Sequence, residues 1–247
     1  MTTQPDGEQA LLEVGTDAGV LVLTLDRPGS RNALSPGLVE ELDAALTCFT
    51  GDDGLRAAVI TGRGTAFCAG LDLKAYSAAS ADRRAPAALI DRLGRLTKPV
   101  IGAVNGPAFT GGFELALGCD WLIGSPAALF GDTHVSVGAF PGGGMTARLG
   151  RVVGVRTAKA MSLAGLRLDA EAALRAGLLS EIVEADLLVA RAIEMARSVA
   201  AADQDLVRAV RVLHDDNVDR SVPEALAAEQ AALEQWRALG GRRGWSG

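Results

Sequence analysis

Four short apolar runs recur along the chain: VLVLTL (20–25), AAVITG (57–62), KPVIGAVNG (98–106) and DWLIG (120–124). Glycine or proline bounds most of them, and helix-patterned sequence separates them. LVEELDAALTCF (38–49) has apolar residues at helical spacing, entered through Ser35-Pro36, a helix cap followed by a first-turn proline. Residues 86–97 and GGFELALG (111–118) read the same way. Strand-then-helix alternation predicts an α/β fold. It excludes an all-helical bundle and a β-sandwich.

Further runs complete the pattern. ALFG (128–131) and SEIVE (180–184) read as short strands, so that several strands come in pairs. Helices are predicted from about 144, including VGVRTAKAMSLAG (153–165), and over 169–177. Residues 186–238 are helical in pattern throughout, and Pro223 opens the last helix. Residues 1–10 read as a loose tail. No linker or low-complexity tract divides the chain. The expected organisation is a mixed core over 1–190 and a helical region over 191–247 that belongs to the same folding unit and serves packing or assembly.

A chain of 247 residues, 49% apolar, can bury a sizeable core. The net charge of −6 and the lack of a long Lys/Arg run disfavour a nucleic-acid partner. Cys48, Cys68 and Cys119 form an odd set in apolar settings, without zinc-site spacing, as expected of reduced, buried thiols. MTTQPDGEQ lacks a charged-then-apolar leader pattern, and no apolar run is long enough for a membrane helix. A soluble cytoplasmic protein is expected.

The candidate chemistry centres on GPAFTGGFELALGCDW (106–121), where Glu114 is the one carboxylate in a small-and-apolar run. Buried carboxylates need partners. A glycine pair opening a helix leaves N–H groups free for a substrate oxygen, with Glu114 in the first turn. Glu114 is thus either an acid/base or a first-turn acid that stabilises the helix. In GTAFCAGLDLK (64–74), Gly70 permits a turn that frees the following N–H groups, or else merely closes a strand. Other matches are weaker. PGGGMTARLG resembles a dinucleotide fingerprint but lacks a leading βαβ unit. HVSVG (134–138) has His134 where a nucleophile elbow needs glycine. Asp132 and His134 alone are too few for a metal.

Taken in order, LTLDRPGSRNALS, AVITGRGTAFCAGLDLK, KPVIGAVNGPAFTGGFELALGCDWLIG, ALFGDTHVSVGAFPGGGMTARLGRVVG and AMSLAGLRLDAEAALRAGLLSEIV resemble the enoyl-CoA hydratase/isomerase (crotonase) superfamily. The resemblance runs in one register over about residues 20–184. It implies a spiral of repeated ββα units with a C-terminal helical trimerisation region, and assembly as a homotrimer or a dimer of trimers. The implied ligand is an acyl-CoA thioester, whose coenzyme A is part of the substrate. Neither a metal nor another cofactor is implied.

The resemblance also implies a site. The backbone N–H groups of Leu71, just after Ala69-Gly70, and of Gly111 are placed to bind the thioester oxygen. Arg31, Ala33, Asp72 and Lys74 fall at the CoA end, with Lys74 near phosphate. Phe140 falls in the acyl pocket or packs in the core. Glu114 matches the first of two glutamates that hydratases use to add water across C2=C3. The second falls at His134, because the motif reads FGDTH. Three readings follow. His134 takes the second glutamate's part; or Asp132 reaches the site, sharing a strand face if 130–134 is extended; or Glu114 works alone, as in a Δ3,Δ2-enoyl-CoA isomerase, or the protein only binds acyl-CoA. A structural His134 is the plain alternative. Gly142 stands where dienoyl isomerases and aryl-CoA dehalogenases carry an aspartate, which disfavours both activities.

Overall fold

A computed structural model describes residues 10–77, 82, 84–238 and 240. The chain opens with a hairpin, β1 (Leu12–Asp17) and β2 (Val20–Leu25), paired antiparallel. Ala18 and Gly19 both have positive φ, 48° and 83°, which suits a two-residue turn to the twist of the strands. β1 lies outside the sequence reading. Four of its six residues are exposed, so it lacks the apolar alternation that marks a strand. The expected loose tail lies almost wholly outside the described residues.

α1 (Pro36–Gly51) begins where expected: the Ser35 hydroxyl accepts from the Leu38 N–H at 3.3 Å. β3 (Ala57–Gly62), α2 (Ala85–Gly94), β4 (Val100–Val104), β5 (Pro107–Phe109), α3 (Gly111–Leu117), β6 (Trp121–Gly124) and β7 (Leu129–Gly131) follow. Then come α4 (Met145–Val153), α5 (Val155–Ala164), β8 (Arg167–Asp169), α6 (Ala170–Arg175) and β9 (Glu181–Ile182). The chain closes with α7 (Leu188–Ala201), α8 (Gln204–Asn217) and α9 (Val222–Ala238). β5 and β8 also lie outside the sequence reading. Each has three residues, too few to show a period.

The strands form two sheets. The larger has the order β1-β2-β3-β4-β6-β9, parallel from β2 onward; the smaller has the order β5-β7-β8. A bridge between Cys68 and Ala108 extends the small sheet to the segment after β3. Two turns of chain, β4-β5-α3 and β6-β7-α4, each give one strand to the large sheet, one to the small sheet, then a helix; in the turns that begin with β2 and β3, isolated bridges at Leu34–Leu71 and Cys68–Ala108 stand in the second place. This is the ββα spiral that the resemblance implies.

Both faces of the large sheet are covered, so all six residues of β3 are buried. Its alternation sorts them. Ala58 and Ile60 join the main core with Leu23, Leu42, Phe67, Phe113 and Phe130. Ala57 and Val59 face the other way, onto Leu188, Ala192, Ala196 and Ala200 of α7. The small alanines let α7 lie close to the sheet. By contrast, α8 and α9 bury no residue in the single chain.

Candidate active site

The spiral brings the ends of its small-sheet strands to one cavity of about 220 Å³. Leu71, Thr110, Glu114, Thr133, His134, Phe140 and Gly143 are among its lining residues.

One wall is backbone. Leu34 donates to the Gly70 carbonyl at 2.8 Å and accepts from the Asp72 N–H at 3.0 Å. A parallel ladder alternates its bonding side, so the intervening Leu71 N–H points away from Leu34. Gly70, at φ +104°, turns the chain there; a Cβ on it would stand 3.0 Å from the Phe109 carbonyl and 3.5 Å from the Gly111 nitrogen. Gly111 opens α3, so its N–H has no partner within the helix. Gly112 cannot carry a side chain, since a Cβ would meet the Cys68 carbonyl at 2.1 Å. The fold thus sets Leu71 and Gly111 side by side, as the resemblance implies for a thioester oxygen.

The opposite wall is made of side chains. Glu114 is 3% exposed. Its Oε1 accepts from the N–H groups of Gly143 at 2.8 Å and Met145 at 3.1 Å. The glycine run that resembles a nucleotide loop is therefore a clamp for this carboxylate. A Cβ on Gly143 would press on Glu114 Oε2 at 2.9 Å. Arg148 braces the loop by donating to the Gly143 carbonyl at 2.9 Å. Glu114 Oε2 remains, and it faces His134 Nε2 at 3.7 Å.

His134 is 5% exposed and Asp132 3%. The His134 ring meets Asp132 through Nδ1, 2.7 Å from Oδ1, and the same oxygen accepts the His134 backbone N–H at 3.1 Å. Burial pushes the Asp132 carboxyl up, but hydrogen bonds from Ser162 and His134 and the attraction of the ring outweigh it. The group is held below its ordinary range. The expectation of an extended 130–134 is corrected here. β7 ends at Gly131, and His134 is helical at φ −51°, ψ −53°, opening a 3-10 turn over Val135–Val137. Asp132 therefore touches His134 through a turn, not across a pleated face.

At the pocket mouth Phe140 is 93% exposed, a rim residue rather than a core one. Arg31 and Lys74 are exposed, and Ala33 is buried. Asp72 pairs with Arg27 at 2.9 Å and accepts from the Ala75 N–H at 3.1 Å. Arg27 also donates to the Ala33 carbonyl, so it ties the RNAL segment to LDLK. Burial raises the Asp72 carboxyl, yet the Ala75 and Arg27 bonds prevail and lower it. Sequence reading missed Arg27, Gly143, Met145 and the Thr110–Thr133 hydroxyl pair. Thr110 sits at φ +53°, a strained setting for a β-branched residue, and its hydroxyl bonds that of Thr133.

Comparison with known proteins gives the lineage. The model of the enoyl-CoA hydratase/isomerase family matches residues 15–240. The chain belongs to that family. Among curated relatives, a probable peroxisomal enoyl-CoA hydratase of Arabidopsis thaliana is 34% identical over 223 residues, covering 89% of this chain and 84% of the relative. Among solved structures, an enoyl-CoA hydratase of Mycobacterium tuberculosis is 42% identical with a TM-score of 0.76, covering 92% of this chain and 99% of the other. One from Bacillus anthracis is 32% identical with a TM-score of 0.84, covering 91% and 90%. Within this family frame the ββα spiral is the expected fold. In this chain an Asp-His pair stands opposite Glu114.

Proposed function

We propose that the protein is an enoyl-CoA hydratase that adds water to a trans-2-enoyl-CoA. The observation that carries this reading is the approach of His134 Nε2 to Glu114 Oε2, 3.7 Å apart across the pocket. One water can touch both atoms. A lone acid/base would serve double-bond migration; two facing groups serve addition.

The thioester oxygen accepts hydrogen bonds from the Leu71 and Gly111 N–H groups. The Glu114 carboxylate takes a proton from water as the water oxygen bonds C3. The π electrons of C2=C3 move toward the thioester oxygen, giving an enolate held by the two donors. His134, as imidazolium, gives its Nε2 proton to C2 as the enolate collapses. Glu114 then returns the proton to His134 across the gap. The sum is one water added, with no oxidant, reductant or metal required. Coenzyme A arrives with the substrate. Arg31, Ala33, Asp72 and Lys74 are proposed to meet its nucleotide end, with Arg27 fixing the two segments. Phe140 and Ala69 are proposed to border the acyl and thioester parts.

Assembly as a homotrimer, or as two trimers, is proposed as well. A cleft of about 560 Å³ between α8 and α9, lined by Leu206, Leu213, Leu226, Leu233 and Trp236, supports an assembly role for these helices. Light scattering at micromolar concentration tests this; a monomer would refute it. The free thiols support a reducing compartment, proposed to be the cytoplasm; the expectation that all three are buried holds for Cys68 alone, since Cys48 lies exposed and Cys119 half-buried. Among the described residues no helix is long and apolar enough to cross a membrane.

The test is a panel of trans-2-enoyl-CoAs in heavy-oxygen water with mass detection. Label in the 3-hydroxyacyl product, lost in Glu114→Gln, is expected. Acyl-CoA binding without label on any substrate would reject the hydratase.

A further inference from the structure

Asp132 is the buried ionisable group at the site that the hydration steps leave without a part. Its Oδ1 lies 2.7 Å from His134 Nδ1, and the Asp132 side chain is 1% exposed. A turn would need only the bond from the His134 backbone N–H to the same oxygen. The ring contact is additional, so two donors converge on one buried carboxylate oxygen. An ionised carboxylate only accepts, so the His134 nitrogen facing it must carry hydrogen. That leaves Nε2 as the ring atom that exchanges protons, and Nε2 is the atom aimed at Glu114.

We propose that Asp132 is a positioning residue: it fixes His134 as the Nδ1–H form, aims Nε2 at Glu114 Oε2, and stabilises the imidazolium that donates to C2. The arrangement is a relay of Asp132, His134 and Glu114. Its Glu114 end is clamped by the Gly143 and Met145 N–H groups, and its Asp132 end accepts the His134 backbone N–H. It rests on the hydratase reading, and it explains how a histidine can occupy the place of a second glutamate. A neutral imidazole left free to rotate could present either nitrogen, and only one productively. Asp132 itself touches neither substrate nor water in this scheme.

The test uses Asp132→Asn. An amide can donate to Nδ1, which would move the ring hydrogen to Nε2. The chain holds two histidines, so a nitrogen-15 spectrum of the labelled, substrate-free protein has two rings to assign, and His214→Gln identifies the other. The expected result is an Nδ1–H ring for neutral His134 in the wild type, and an Nε2–H ring in Asp132→Asn. With it kcat for hydration should fall about 10–100-fold, with KM within about threefold. Asp132→Ala, which removes the acceptor outright, should likewise lose the fixed Nδ1–H form and lower kcat about 10–100-fold; it carries the test if Asp132→Asn does not fold. An Nε2–H ring in the wild type, an unchanged ring in Asp132→Asn, or kcat within twofold of wild type in the variant that folds would overturn the proposal. The spectrum needs no substrate. Label uptake by the wild type reads the hydratase proposal separately, so failure of one is distinguishable from failure of the other.

Discussion

The two walls of the pocket are built in different ways. The Leu71–Gly111 wall presents main-chain N–H groups, and what it requires is glycine: Gly70 for a positive φ, Gly112 for close approach to the Cys68 carbonyl of a distant segment. The Glu114–His134 wall presents side chains held by particular partners: Glu114 by N–H groups 29 and 31 residues away, His134 by Asp132 within its own turn. A backbone wall tolerates side-chain change wherever the chain can still follow its path. A side-chain wall fails when one atom is replaced.

Substitutions can break this contrast, beginning with the strongest. Glu114→Gln keeps the shape but loses the base, and kcat should fall about 10²–10⁴-fold with acyl-CoA binding retained. Steady-state kinetics beside direct CoA-thioester titration would separate the two. Gly143→Ala attacks the same wall through its clamp. The added methyl meets Glu114 Oε2 at 2.9 Å and Ile90 Cδ1 at 3.0 Å, so overpacking should cost about 1–3 kcal/mol in denaturant unfolding and lower kcat as well.

Acid sharpens the comparison, because only the side-chain wall titrates. The Asp132 carboxyl is lower in the folded chain than in the unfolded one. Its contribution is therefore complete above the unfolded pKa of about 3.9 and is lost as pH falls through the lower folded value. Wild type should lose stability relative to Asp132→Asn across that acid window, as read by urea midpoints at stepped pH. A constant difference between the two would refute the assignment.

The smallest effect belongs to the backbone wall. Leu71→Ala removes a half-buried side chain but no donor, so kcat should stay within about threefold and any change should appear in KM for longer acyl chains. A large fall in kcat would mean that the Leu71 side chain, rather than its N–H, is the working group.

How far the sequence was readable follows the same division. Gly70 announces its turn, because a glycine's freedom is a local property written at its own position, whereas the fit of Gly112 against Cys68 is legible only in the fold. Residues 57–62 announce a short strand, because an apolar run closed by glycine is written in place; its burial on both faces is not. β5 and β8 are invisible, since three-residue strands owe their existence to neighbours in the small sheet. The clamp on Glu114 is present as PGGGM, whose likeness to a nucleotide loop the sequence reading sets aside without giving the run another role; only the fold reveals what those N–H groups hold. His134 stood out as a departure from the family pattern, but its link to Asp132 depends on a turn that begins at residue 132. The sequence reading assumed an extended segment there.

The most direct test of the paired acid/base is one incubation of His134→Ala in heavy-oxygen water, with a trans-2-enoyl-CoA and, in parallel, a 3-enoyl-CoA. Two facing groups predict that label incorporation falls at least about 100-fold against wild type, while any Glu114-dependent migration of the double bond persists. Label incorporated at the wild-type rate would contradict the account, and Glu114 would then be handling water alone.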